Sequence, residues 1–335
     1  MAERSTRSAD DLAYRGRRVR PVSHDDPEPA RGLVETDSTI ITGCIDPLGP
    51  GNTGARPPVE NTVEQRIIVT ITDGVADVRL NRADKMNALD QAMFDALIAT
   101  GIRLKTEPGL RAVVISGEGR AFCAGLDMGR FEKMADASAP AVSNEMRLGP
   151  RTYGIANAAQ YACTVWREVP VPVIAAVHGV AFGGGFQVAL GADLRFVTPD
   201  TRMSVMEIKW GLVPDMAGAL LMRELARADV IRELTYSGRI FSGTEAAQLG
   251  FATRVCDKPY EEAMAFAREI AGKNPDAIRA GKRLLALAQD GTPAEILQAE
   301  STEQIALLGS ANQVEAVSAN LQKRAPMFKD PVPAN

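Results

Sequence analysis

The sequence predicts an α/β chain of layered strands and helices, on three observations. Two apolar runs at 67–71 and 76–80 flank Asp73-Gly74, a dipeptide suited to the tight turn of a hairpin. Helical and buried-strand patterns then alternate as far as Ser204. After Pro214 the chain turns largely helical.

Residues 87–103 are predicted as a helix, with Leu89, Met93, Leu97 and Ile98 as its apolar stripe. A buried strand is expected at 112–116, a short helix at 127–135, a loop at 136–150 and a helix at 153–166. The apolar strand at 171–177 runs into Gly183-Gly184-Gly185 and then into a helix that contains 186–190. Strands follow at 193–197 and 202–204. Ser242-Gly243-Thr244-Glu245 has the spacing of a capping box and opens a helix that ends at Gly250. Helices at 260–272, 276–288, 294–308 and 314–324 complete the chain. Their apolar positions, such as Ile278, Leu284, Leu285 and Leu287, read as core or subunit interface.

The first 63 of 335 residues are rich in Arg, Asp, Pro, Gly and Ser and carry little hydrophobic period, so a disordered or loosely attached tail is expected there. The tail holds Gly49-Pro50-Gly51-Asn52-Thr53-Gly54, a match to GxGxxG. Pro57-Pro58 follows and no strand-helix context surrounds it, so a dinucleotide fingerprint is rejected. A core at 64–258 and a helical region at 259–328 make up the rest. A net charge of −4 gives no electrostatic reason to bind nucleic acid, and no apolar run reaches membrane-spanning length. Cys44, Cys123, Cys163 and Cys256 form no CxxC pair, which argues against a disulfide framework or structural zinc and fits a reducing cytoplasmic setting. Only His24 and His178 occur, so a His-ligated metal or a Ser-His-Asp triad would rest on His178 alone, and no metal site is expected. His178 itself reads as a satisfied polar group closing a core strand.

The three glycines ask for bare backbone at a helix start, where unpaired amides and the helix dipole attract negative charge. Two readings stand side by side: backbone donors to an oxyanion, or a crowded turn packed on a neighbouring strand.

Four segments, in order, resemble the crotonase superfamily, the enoyl-CoA hydratase/isomerase group. They are Asn81-Arg82-Ala83-Asp84-Lys85-Met86-Asn87-Ala88-Leu89, Gly119-Arg120-Ala121-Phe122-Cys123-Ala124-Gly125-Leu126-Asp127, the passage 174–190 and the stretch 241–255. Alanine replaces the usual proline at 83. The resemblance covers roughly 64–328. It implies a crotonase-like spiral of ββα units with a helical C-terminal trimerisation region, hence a homotrimer or a dimer of trimers. It also implies acyl-CoA substrates, with coenzyme A part of the substrate and no separate cofactor, and an enolate held by the amides of Leu126 and Gly184. By position it sets Ala88, Ala124, Gly125, Asp127, Gly183 and Gln187 along the substrate.

Family hydratases use two glutamates; here the first position is Gln187 and the second is Glu207. Gln187 cannot move a proton, though its amide can orient a water or a thioester. Asp215 stands eight residues after Glu207, a spacing similar to that of the dienoyl-CoA isomerases, which carry an aspartate where Gln187 stands. Double-bond isomerisation with Glu207 and Asp215 as proton carriers is the expected activity, ahead of hydration or of an acyl-CoA-binding protein that has lost catalysis. On the residues alone, Glu207 could instead be a surface glutamate paired with Lys209, while Asp215 and Asp127 could each be helix caps. Cys123 lacks a histidine partner and is not expected to act as a nucleophile.

Overall fold

The computed structural model describes residues 65–135 and 148–331. The predicted tail at 1–63 and most of the 136–150 loop lie outside them.

Strand β1 (Ile67–Thr72) pairs antiparallel with β2 (Val75–Leu80). The two residues between them, Asp73 (φ 50°) and Gly74 (φ 77°), are both left-handed, as the expected hairpin turn requires. The other strands are β3 (Ala112–Gly117), β4 (Val173–Val177), β5 (Val180–Phe182), β6 (Leu194–Val197), β7 (Arg202–Ser204), β8 (Phe241–Ser242) and β9 (Arg254–Val255). Six form one sheet in the order β1-β2-β3-β4-β6-β9, parallel from β2 onward; β5-β7-β8 form a second, smaller one.

Among the described residues the helices are α1 (Gln91–Lys105), α2 (Met128–Ala135), α3 (Ala158–Glu168), α4 (Gly184–Leu190), α5 (Gly218–Met222), α6 (Ala228–Ser237), α7 (Gly243–Leu249), α8 (Pro259–Ala271), α9 (Pro275–Leu287), α10 (Pro293–Leu307) and α11 (Ala311–Gln322). Both faces of the larger sheet are covered, which parallel strands need. Val78, Val113, Ile115, Ala175 and Val177 join Met93, Leu97 and Trp166 of α1 and α3 in the main core. The alternate residues Val75, Ala112, Val114, Ile174 and Ala176 pack on Ala263 and Ala267 of α8. The strand period of two thus serves two cores at once.

Two helix starts differ from expectation. Helix α1 begins at Gln91, not at 87, because Met86 (φ 48°) and Asn87 (φ 56°) are left-handed and Asp90 is the cap, accepting from the Met93 amide at 2.8 Å. Asn87 is fully buried: its Oδ1 accepts from the Arg82 amide at 2.8 Å, and its Nδ2 donates to the carbonyls of Glu118 (3.0 Å) and Ala121 (2.9 Å). Replacing Asn87 with Ala is expected to cost about 3 kcal/mol, roughly 1 for each bond lost. A denaturant midpoint that falls at unchanged slope would show it. Helix α3 starts at Ala158, not at 153, because Asn157 and Gln160 form a reciprocal capping box and the preceding Tyr153 stacks on Tyr161 at 4.4 Å. Ser242 caps α7 as expected by accepting from the Glu245 amide, but the Glu245 carboxylate turns to Arg239. The four C-terminal helices fall within three residues of their predicted bounds, and their outer faces leave Leu285, Leu297, Ile305, Val314, Val317 and Leu321 exposed.

Candidate active site

Each of the three glycines answers a different demand. Gly183 caps α4 at φ 49°, ψ −117°, a conformation open essentially to glycine alone. A β-carbon there would also come 3.2 Å from Oε1 of Glu207. On Gly184 it would meet the Met216 sulfur at 2.7 Å and a Leu89 methyl at 2.8 Å; on Gly185 it would meet the Cys123 carbonyl oxygen at 2.3 Å. Packing therefore explains part of the motif, Gly185 above all.

The segment before α2 runs beside β5. Cys123 donates its amide to Val180 and accepts from Phe182, and Gly125 (φ 90°) sits so close that a β-carbon would lie 2.5 Å from the Phe182 carbonyl oxygen and 3.8 Å from the Gly184 nitrogen. Leu89 bridges this segment by donating to the Gly125 carbonyl and accepting from the Asp127 amide. In such a parallel bridge the amide of the residue between, Leu126, faces away from Leu89. Gly184 is the first residue of α4, so its amide has no acceptor within the helix. Neither amide donates to a protein acceptor among the described residues.

The neighbours of this turn are engaged with one another. The Asp127 carboxylate bonds Arg82 at 2.6 Å and accepts from the Gly129 amide at 2.9 Å, so it holds the start of α2. Arg82 also donates to the carbonyl of Ala88, and the Ala124 amide donates to that of Met86. Cys123 donates its thiol to the Asn87 carbonyl; burial pushes that thiol up to about 12, so it is no thiolate nucleophile. His178 follows β4 with Nε2 3.0 Å from the Gly119 carbonyl oxygen, as a satisfied polar group.

Glu207 opens a 3₁₀ turn (Glu207–Trp210) and is buried, with 8% of its surface exposed. The surface-glutamate reading is set aside: Lys209 instead packs over the Trp210 ring at 5.3 Å. Oε1 of Glu207 accepts from Nε2 of Gln187 at 2.6 Å, while the buried Oε2 has no hydrogen-bond partner among the described residues. Burial holds the Glu207 carboxyl above the usual range; its own amide and Gln187 oppose this, and the Asp215 charge adds to it. Asp215 is not a helix cap, since the residue before α5 is Ala217, left-handed at φ 66° and without a side-chain cap. As a residue Asp215 is exposed, yet protein crowds its carboxyl, and that desolvation raises it as well, against its own amide and Arg130.

The role of Gln187 was not legible in the sequence. It is buried, and its Oε1 accepts from the amides of Met216 (3.0 Å) and Gly218 (2.8 Å). The amide expected to orient a water or a thioester is thus engaged by the protein itself, its oxygen by the loop and its nitrogen by Glu207. Among the described residues no group of acidic, histidine or cysteine side chains is arranged to hold a metal ion, and no helix is long and apolar enough to cross a membrane.

The family profile described as enoyl-CoA hydratase/isomerase matches residues 70–331. The chain is 30% identical over 255 residues to the mitochondrial Delta(3,5)-Delta(2,4)-dienoyl-CoA isomerase of Mus musculus, across 75% of this chain and 77% of the relative. It superposes on the solved structure of an enoyl-CoA hydratase from Mycobacterium smegmatis with a TM-score of 0.68 and 28% identity, covering 78% of this chain and 98% of the other. On an enoyl-CoA hydratase from Bacillus anthracis the TM-score is 0.70 at 27% identity, covering 79% and 99%.

Proposed function

From the premise that this chain belongs to the enoyl-CoA hydratase/isomerase family and has the crotonase-like fold, we propose that it shifts the double bonds of an enoyl- or dienoyl-CoA through an enolate intermediate. It is an enzyme of that family; the choice of isomerisation over hydration is the present reading. The observation that carries the reading is a buried Glu207, one oxygen of which has no hydrogen-bond partner among the described residues, held beside a Gln187 that cannot ionise and raised in part by the charge of Asp215.

A carbon acid next to a thioester is too weak for a lone carboxylate to deprotonate at neutral pH, so the developing oxyanion must be stabilised. The amides of Leu126 and Gly184 are the donors in this reading, each worth about 10²–10³ in rate. One carboxylate of the pair, ionised, takes the proton from the carbon next to the thioester, and the C–H electrons move into a conjugated enolate whose charge rests on the thioester oxygen. The other, protonated, gives its proton to the far carbon of the conjugated system. The double bonds shift, and the pair ends with its single proton exchanged between partners. Carboxyls held above their ordinary range keep one proton in the pair nearer to neutral pH.

Offering 2-enoyl-, 3-enoyl- and 3,5-dienoyl-CoA to the purified protein tests this. The 3,5-dienoyl thioester is expected to convert to the 2,4-isomer, read by absorbance, with solvent deuterium entering the acyl chain. Water addition to the 2-enoyl thioester without isomerisation would defeat the reading.

A further inference from the structure

Gln187 is a side chain engaged at both ends of its amide. Its Oε1 accepts from two backbone amides, which can only donate, so the orientation of the amide is fixed and Nε2 must face Glu207. The two amides, of Met216 and Gly218, flank the left-handed Ala217 and close a small concavity of N–H groups directly after Asp215. A non-glycine residue at φ 66° is strained and persists only where its surroundings hold it. The space leaves no slack: a β-carbon on Gly218 would come 2.5 Å from the Gln187 oxygen.

We propose that Gln187 is the positioning residue of the carboxylate pair, one amide that sets the rotamer of Glu207 and, through its other end, the loop that carries Asp215. The proposal deepens the isomerase reading and rests on it. A glutamine is the residue that can do this without adding charge. Its nitrogen donates to one oxygen of Glu207 and leaves Oε2 as the atom turned to other work. Its oxygen fills the concavity that fixes Met216 and Gly218. A carboxylate at 187 would be welcomed by the two amides but would set two acidic oxygens face to face at the position of a 2.6 Å bond, so Glu207 would have to keep a proton. An apolar residue would orphan two buried amides.

The test compares Gln187→Glu, Gln187→Met and the exchange Gln187→Glu with Glu207→Gln. In Gln187→Glu the concavity stays filled, so the protein folds. Its kcat near pH 7 is expected to fall at least about tenfold, with KM nearly unchanged, and the acid limb of its pH–rate profile to move up by about one pH unit. Its midpoint of thermal unfolding, relative to wild type, is expected to drop further as pH rises from acid to neutral, because ionising a carboxyl whose native pKa is raised costs stability. The exchanged pair restores a 187–207 hydrogen bond with donor and acceptor reversed; it is expected to regain the unfolding midpoint but not the turnover. Gln187→Met is expected to lose both stability and turnover. A wild-type pH–rate profile in Gln187→Glu, or turnover restored by the exchange, overturns the proposal. Hydration by the wild-type protein with the same displaced limb in Gln187→Glu would sink the isomerase reading and leave the positioning role standing. Should the wild type turn over no thioester, the unfolding midpoints decide: no pH-dependent gap between Gln187→Glu and wild type overturns the role of Gln187.

Discussion

Glu207→Gln is expected to lower isomerase turnover by about 10²–10⁴-fold, the typical worth of a positioned acid or base, while thioester binding survives. The substitution keeps the shape of the side chain. Its amide oxygen still accepts from Nε2 of Gln187, and only the capacity to hold or release a proton is gone. The same change is expected to make the protein more stable at neutral pH. Wild-type Glu207 is buried, its Oε2 has no hydrogen-bond partner among the described residues, and burial raises its pKa. A carboxyl with a native pKa above its unfolded value favours the fold fully below the unfolded pKa, and that contribution is lost as pH rises through the native pKa. The glutamine variant has no such loss. The difference in unfolding midpoint, variant minus wild type, should therefore grow from acid to neutral pH, by about 2–4 °C for each kcal/mol relieved. Wild-type turnover in this variant would remove Glu207 from the chemistry, and a midpoint lowered at neutral pH would show that its burial is no burden.

What the sequence made legible divides along a physical line. The hairpin at Asp73-Gly74, the buried strands and the C-terminal helices follow from local rules of turn chemistry and apolar period, and all stand where those rules place them. The start of α1 did not, because Leu89 continues the apolar stripe while Met86 and Asn87 are left-handed, with the Asn87 side chain held by partners more than thirty residues away at Glu118 and Ala121. Tertiary hydrogen bonds overrode the period there. The site shows the same division. The spacing of Glu207 and Asp215 could be read as two carboxyls of one site, and the Asp215 charge is among the causes that raise the Glu207 carboxyl. The work of Gln187 could not be read, because both loop amides that engage it lie 29 and 31 residues downstream and donate through main chain, which leaves no trace in side-chain type. Ala217 carried the one faint signal, but a left-handed alanine is visible only once its φ is known. The glycine triplet was legible as a need for bare backbone, yet its three causes were not separable: a left-handed cap at Gly183, a packed sulfur at Gly184 and a carbonyl at Gly185.

Gly125→Ala is expected to cost about 10²–10³ in turnover, the worth of one misplaced oxyanion donor, with a smaller effect on substrate affinity. Two obstacles meet at this position. The backbone is left-handed at φ 90°, which an alanine adopts only under strain, and its β-carbon would stand 2.5 Å from the Phe182 carbonyl oxygen. That oxygen cannot retreat easily, because β5 is held between Cys123 and the parallel strand β7. The turn 124–126 must then move instead, and it moves relative to the Gly184 nitrogen, 3.8 Å from the same β-carbon. In the proposed site the Leu126 amide is then displaced, and the thioester oxygen keeps one donor of two. Strain alone would also lower stability, by about 1–3 kcal/mol. Gly309→Ala separates the two effects. Gly309 is left-handed too, at φ 75°, but a β-carbon there would meet nothing within 4 Å, and it lies between α10 and α11. It is expected to lose stability with turnover per folded molecule unchanged, whereas Gly125→Ala loses turnover even well below its unfolding midpoint. Full turnover per folded molecule in Gly125→Ala would show that the Leu126 amide is not a donor to the reacting oxygen.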